Sequence, residues 1–387
     1  MKGPSDTVSQ GLDRLLPTYA RADLAIVRGE AARVWDVDGR EYLDFGAGIA
    51  VVGLGHCHPA PLAAAREQLD RLWHVSNLYR TAPAEALAAR LSDRFGGAQA
   101  FFCNSGAETI EAALKYARKA TGKPGVVALE GSFHGRTLGA LSVTGQPSKR
   151  AAFSPLVPGA RFVPANDVEA LRAAATEDVG LVLLEPILGE GGVHSLAAEF
   201  VAAAAELPAL LCIDEIQTGV GRTGSFFAFE ALGVTPDLAT LAKGLANGLP
   251  IGALLVADRV AGAFAPGDHG STFGGNPVSC AAACAVVDAI DDELLANVLE
   301  RGAELATGLA SLPGVLGVRG RGLLLGAVVA GTAAAIVEAC RERGLLVLTA
   351  GEDVVRLAPP LTIGTDDVEE ALSILAAVLD ILGSEAM

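Results

Sequence analysis

Positive charge is scarce in this chain: 29 lysines and arginines stand against 45 acidic residues, a formal net charge of -16. Such a surface repels a phosphate backbone, so no nucleic-acid partner is expected, and any anionic small molecule must be met by local arginines. No apolar leader segment is expected either. The opening Met1-Lys-Gly-Pro-Ser-Asp-Thr7 is polar, and the Ala-rich stretch around residues 201–213 is broken by Glu206 and Pro208. The expectation is a cytoplasmic chain, neither secreted nor membrane-spanning. Six cysteines form no Cys-x-x-Cys pair, which argues against a disulfide framework. His56-Cys57-His58 lacks the paired spacing of zinc ligands, so no metal is expected. No P-loop is present either, because neither Lys123-Pro-Gly nor the glycine-rich stretch from His269 to Pro277 contains the required Gly-Lys-Ser/Thr.

What is present is a large apolar reserve. Hydrophobic residues make up 51% of 387, enough for one large domain and one smaller. From about residue 85 to 265, strand-like apolar runs alternate with Ala/Leu-rich helical patterns, the pattern of an α/β fold with a mainly parallel sheet between helices. Before this block, Arg33 to Phe45 reads as a hairpin with Asp-Gly at its turn. After it come Ala-rich helices, short strands at 316–329 and 345–357, and an amphipathic terminal helix. The expected organisation is a large domain at 51–275 and a smaller α+β domain built from 1–50 and 276–387.

Two residues carry the first chemical signal. Asp214 closes the apolar run Ala209-Leu-Leu-Cys-Ile213, and Lys243 closes Pro236-Asp-Leu-Ala-Thr-Leu-Ala242. Both read as buried strands delivering a charged group to the carboxyl edge of a sheet, where open α/β sheets bind ligands. A buried ion pair between them is one reading. The other is a site for pyridoxal 5'-phosphate (PLP), which needs an amine for its aldehyde and a carboxylate for its ring nitrogen. A third element suits that cofactor: Ser105-Gly106-Ala107 begins a helix after the strand-like Ala100-Phe-Phe-Cys103, and a helix start offers free N–H groups to a phosphate. An ordinary helix cap is the alternative there.

The whole chain resembles the class III, fold-type I PLP-dependent aminotransferases. The resemblance is carried by Tyr42-Leu-Asp-Phe45, Gly55-His-Cys-His-Pro59, Leu72-Trp-His-Val-Ser-Asn77, Phe102-Cys-Asn-Ser-Gly-Ala-Glu108 and Phe133-His-Gly-Arg136. It continues through Glu185-Pro-Ile-Leu-Gly-Glu-Gly-Gly192, Asp214-Glu-Ile-Gln-Thr-Gly219, Lys243-Gly, Gly270-Ser-Thr-Phe-Gly-Gly-Asn-Pro277 and Arg356-Leu-Ala-Pro-Pro360.

The resemblance implies that Lys243 binds the PLP aldehyde as a Schiff base and that Asp214 pairs with the ring nitrogen. It places Phe133 and Ile216 on the two ring faces, Gln217 near the ring hydroxyl, and Ser105, Gly106 and Ala107 at the phosphate. The loop with Ser271 and Thr272 is implied to reach the phosphate of a second subunit, giving a homodimer with shared sites. Arg136 is implied to hold the distal carboxylate of both substrates and Arg356 the α-carboxylate of glutamate, with Glu190 neutralising Arg356 while an ω-amine donor is bound. Asn77 and Tyr19 complete the expected substrate site. The loop from Trp73 to Tyr79, with Tyr19 upstream, most resembles members acting on acetylornithine with 2-oxoglutarate, a step of arginine biosynthesis. Ornithine, succinyl-diaminopimelate, 4-aminobutyrate and carrier-bound aminoadipate semialdehyde would keep the same cofactor residues. A non-catalytic PLP-binding relative would be expected to have lost Lys243 or Asp214.

Three departures from the family pattern stand out: Gly244-Leu-Ala246-Asn247-Gly248 after the lysine, Thr109-Ile110 in the helix, and Leu188 between Glu185 and Glu190. Ala246 and Asn247 replace the freest backbone in their turn.

Overall fold

The computed structural model describes residues 14–385; the polar segment of residues 1–13 lies outside the described residues. Alternating apolar runs build a seven-stranded sheet in the order Ala98–Cys103, Gly252–Ala257, Leu238–Leu241, Leu210–Asp214, Val179–Leu184, Gly125–Leu129, Ala160–Val163. Only Gly252–Ala257 runs against the others, pairing antiparallel with Leu238–Leu241 on one side and Ala98–Cys103 on the other. The rest share one direction, so their carboxyl ends meet at one edge.

Both faces of this sheet are buried, and the period-2 geometry of a strand divides its residues between them. Val182, Leu184, Ile213 and Leu241 pack into one apolar cluster, while Leu181, Leu183, Cys212 and Leu238 pack into another. The second cluster is closed by the helix Gly106–Thr121. Its Ile110, Ala113 and Ala117 are buried, and Leu114 is half-buried at the margin. Ser105 caps this helix by accepting from Glu108 N at 3.3 Å, and Glu108 Oε2 accepts in return from Asn104 N at 2.7 Å. Gly122, at φ +70°, ends it in the left-handed region.

The expected hairpin forms from Arg33–Asp36 and Glu41–Asp44. Its turn is held by Asp36 Oδ1, which accepts from Asp38 N and Arg40 N, and Gly39 takes φ +83°. Glu41–Asp44 then pairs in parallel with Leu345–Leu346, so the two ends of the chain share a sheet. A further sheet, ordered Val315–Arg321, Leu324–Val329, Val354–Leu357, Leu348–Thr349, carries Arg356. All six cysteines are free thiols, and among the described residues no helix is long and apolar enough to cross a membrane.

Leu183 is fully buried in a central strand. Replacing it with alanine leaves a cavity between sheet and helix, so Leu183→Ala should lower unfolding free energy by about 2–5 kcal/mol. The measure is the urea midpoint at unchanged slope; a shift too small to detect would contradict the packing described.

Candidate active site

The shared strand direction assembles the site. Asp214 ends one strand in register with Thr240 of the next, and Lys243 follows three positions beyond Thr240. Ser105, Phe133 and Glu185 follow the ends of other strands at the same edge. Together these residues line a cavity of about 420 Å³ that also includes Gly106, Ala107, Arg136, Ile216 and Gln217.

Asp214 is 3% exposed, and both of its oxygens are engaged. Its Oδ2 lies 2.6 Å from His134 Nδ1, and its Oδ1 accepts from Ile216 N at 3.0 Å and Thr240 Oγ1 at 3.2 Å. Burial opposes a charge on His134, but the Asp214 hydrogen bond and carboxylate, with Glu185 behind them, hold its pKa above the usual imidazole value. Lys243 is half-buried at φ +41°. Desolvation, reinforced by the Arg356 guanidinium, brings its ammonium down to about 8 against the opposing pull of Glu190, Glu185 and Asp214. A lysine so placed has a neutral amine within reach of ordinary pH.

The turn after Lys243 departs from the family pattern, and the structure supplies the reason it holds. Asn247 adopts the left-handed region at φ 50°, which asparagine tolerates better than most residues. Its side chain accepts from Leu54 N and donates to Gly55 O, each at 2.8 Å.

At the cavity edge, Arg356 is 3% exposed and its Nη1 meets Glu190 Oε1 at 2.7 Å, Gly189 O at 2.8 Å and Gln217 Oε1 at 3.1 Å. Burial raises the pKa of Glu190, but Arg356 reverses that and holds the carboxyl below its usual value. Gln217 thus faces Arg356. Arg136 is exposed at the mouth with its guanidinium carbon 5.7 Å from the Phe133 ring centre.

Other expected site residues lie apart from this cavity. Ser271 Oγ accepts from Asn104 Nδ2 at 3.1 Å, while Thr272 is exposed. Asn77 donates to Ser271 O and Gly274 O, fastening that loop, and Tyr19 is 72% exposed. Two titratable cavity residues, Glu185 and His134, were given no role by the sequence reading although both stand in matched motifs. Glu185 follows the apolar run Val179–Leu184 and so obeys the same rule that singled out Asp214. Burial pushes its carboxyl up to about 7, and it accepts from Phe133 N at 2.7 Å. His134 offers a weaker signal, a histidine beside Phe133 in a matched motif.

The residues fit PLP on their own chemistry. The first N–H groups of a helix have no intrahelical partner, and here they open on the cavity at Gly106 and Ala107. A Cβ at Gly106 would sit 2.8 Å from Ile216 Cδ1, so the bare glycine lets Ile216 close over the helix start without shifting. A buried carboxylate, an aromatic wall and an amine of lowered pKa complete the set that a phosphorylated pyridine aldehyde requires.

Comparison with known proteins agrees. Residues 17–379 match the family Aminotransferase class-III. The chain is 50% identical over 376 residues to the acetylornithine aminotransferase of Streptomyces coelicolor, covering 95% of this chain and 93% of that one. Among solved structures, the ornithine aminotransferase of Toxoplasma gondii ME49 superposes with a TM-score of 0.93 at 32% identity, covering 100% of this chain and 97% of its own. The N-acetylornithine aminotransferase of Stenotrophomonas maltophilia K279a gives 0.83 at 38% identity, covering 98% and 100%. A mainly parallel sheet with lysine, aspartate and helix start at one edge, matched over nearly the whole chain, means that it belongs to the class-III aminotransferases, enzymes of PLP fold type I.

Proposed function

We propose that the chain transfers the δ-amino group of N2-acetylornithine to 2-oxoglutarate, giving N-acetylglutamate 5-semialdehyde and glutamate, a step of arginine biosynthesis in the cytoplasm. The observation that carries this reading is the Glu190–Arg356 pair at 2.7 Å on the edge of the Lys243 cavity. The similarity to relatives named acetylornithine aminotransferase supports the choice of donor.

Bound PLP supplies the electron sink and stores the amino group between the two half-reactions. Lys243 Nζ would attach the cofactor and, once displaced by substrate, take the proton from the donor's reacting carbon as a neutral amine. Asp214, oriented by His134, Ile216 N and Thr240, would keep the ring nitrogen protonated. Phe133 and Ile216 would hold the ring faces, Gln217 would lie near the ring hydroxyl, and Ser105, Gly106 and Ala107 would receive the phosphate.

The substrates pose a sorting problem: one presents a bare ω-amine, the other carries a carboxylate on its reacting carbon. Arg136, with no ion pair among the described residues, would grip the distal carboxylate of both. Arg356 would be cancelled by Glu190 for the amine donor and released for the α-carboxylate of the acceptor. Ornithine is the second candidate donor, favoured by the overlay with the Toxoplasma enzyme.

We also propose a homodimer in which Ser271 and Thr272 serve the partner's site. Trp73, Leu78, Tyr79 and Phe273 are between 60% and 85% exposed on two loops joined by Asn77 and by the His74–Phe273 ring contact. Large apolar groups exposed together mark an interface. Asn77 and Tyr19 would reach substrate within that assembly.

Lys243→Ala should lose both turnover and the visible absorbance of bound cofactor. In the parent protein stripped of cofactor, PLP uptake should accelerate as pH rises through about 8, since the lowered pKa makes Lys243 neutral above that value. Retained turnover in the variant would remove Lys243 from the chemistry. Glu190→Ala should shift the ratio of half-reaction rates toward glutamate over acetylornithine by roughly tenfold or more; equal slowing of both would end the switch reading. If acetylornithine and ornithine are offered side by side, preference for ornithine would overturn the assigned donor. Phe273→Asp should move the sedimenting species from dimer to monomer, and a monomeric parent protein would refute the shared site.

A further inference from the structure

One cation beside the site has no place in this scheme. Lys149 lies in the short helix Pro147–Arg150, half-buried, with Nζ 4.7 Å from the centre of the Phe133 ring. Its ammonium makes no hydrogen bond or ion pair with any described residue, and the backbone N donates to Gln146 O at 3.1 Å. Fully buried lysines are almost always paired, and the partial burial of Lys149 is already enough to lower its pKa. The two acids that bear on it are already engaged: Glu190 is bonded to Arg356, and Glu185 accepts from Phe133 N.

The backbone brings Lys149 and Glu190 to one wall. Gly131 N donates to Gly145 O at 2.8 Å and Gly145 N donates to Ser132 O at 2.9 Å, so the strand of chain leading to Lys149 runs against the one leading to Phe133. Gln146 Nε2 adds a bond to Gly131 O at 3.1 Å. On the other side Gly191 packs so tightly that a Cβ there would lie 2.5 Å from Gly131 O. The residues flanking Lys149 and Glu190 therefore share Gly131 as a common neighbour.

The charges at this wall show what is missing. Desolvation lowers the Lys149 pKa; Glu190 and Glu185 oppose that, and Arg136 and Arg356 add to it. The cations bearing on Glu190 are Arg356, Lys243 and Lys149. When the acceptor takes Arg356, and Lys243 is committed to the cofactor, Lys149 is the one left. A carboxylate abandoned in a partly buried place is costly, so the switch needs a second seat for Glu190. Glu190 is also the member that moves more easily: its side chain is 25% exposed against 3% for Arg356, which Gly189 O and Gln217 additionally hold.

We propose that Lys149 is a positioning residue that receives the Glu190 carboxylate when Glu190 releases Arg356, so that the site has two paired states and not one paired and one broken. The inference rests on the Glu190–Arg356 reading above. It places Lys149 in the acceptor half-reaction alone, because the donor leaves the original pair closed.

The test uses two unreactive ligands and calorimetry on the PLP-loaded enzyme. Glutarate presents carboxylates to both arginines, whereas N2-acetylnorvaline presents only the distal one. Lys149→Met should weaken glutarate roughly tenfold and leave N2-acetylnorvaline unchanged. Lys149→Arg, which keeps the charge, should restore glutarate. In a Glu190→Ala background, Lys149→Met should cost nothing further, as expected of two residues acting through each other. Equal weakening of both ligands, or an undiminished loss without Glu190, would overturn the proposal and make Lys149 a direct grip on substrate or a packing residue. Glu190→Ala alone should tighten glutarate. Failure to do so would sink the switch itself together with this inference, whereas tightening there with no effect of Lys149→Met would sink the Lys149 role only.

Discussion

The common direction of six strands is the constraint on which the rest of the molecule depends. Backbone pairing between parallel strands sends every carboxyl end to one edge, and the residues at or shortly beyond those ends, Ser105, Phe133, Glu185, Asp214 and Lys243, come from positions as much as 138 apart, 243 minus 105. Phe133, Glu185, Asp214 and Lys243 follow or end strands buried on both faces, so these strands cannot shift without disturbing apolar packing on two sides; the strand before Ser105 is a half-buried edge strand. The antiparallel strand Gly252–Ala257 does not weaken this arrangement. It fills the gap between Leu238–Leu241 and Ala98–Cys103, and so holds the lysine and the helix start on either side of itself.

Electrostatics at that edge oppose those of the whole chain. The protein is strongly acidic, yet the cavity brings Arg136 and Lys243 together with Glu185 and Asp214, and Lys149, Glu190 and Arg356 stand beside it. Low local dielectric makes each of these charges depend on its neighbours. Asp214 is held by His134, Glu190 by Arg356, and Lys243 loses part of its hold on a proton because guanidinium charge and burial outweigh three nearby acids. The departures from the family pattern are absorbed by the same local logic: Asn247 takes a glycine-like conformation and repays the strain through two side-chain hydrogen bonds.

The proposed assignments separate cofactor chemistry from substrate choice in space. The residues proposed to hold the cofactor lie at or shortly after strand ends of the large sheet and in the loops that follow them, whereas the proposed selectivity residues sit on the Glu190 loop, the Arg356 strand of another sheet and the wall behind Phe133. This division explains how relatives with different named substrates superpose so closely on one fold.

The sequence by itself determined the α/β fold, the family and the strand-end groups Asp214 and Lys243, because an apolar run ending in a charge has few physical outcomes. The same rule, applied to Val179–Leu184, also reached Glu185 once the strand was seen. What only the tertiary structure decided were relations between distant segments. His134 against Asp214, Gln217 turned toward Arg356, Asn77 fastening the Ser271 loop, and Lys149 left without an acid all depend on side chains meeting across loops. Periodicity reports which face of a strand or helix is buried, but loops have no period, and hydrogen bonds between them depend on where the sheet edge brings each one to rest.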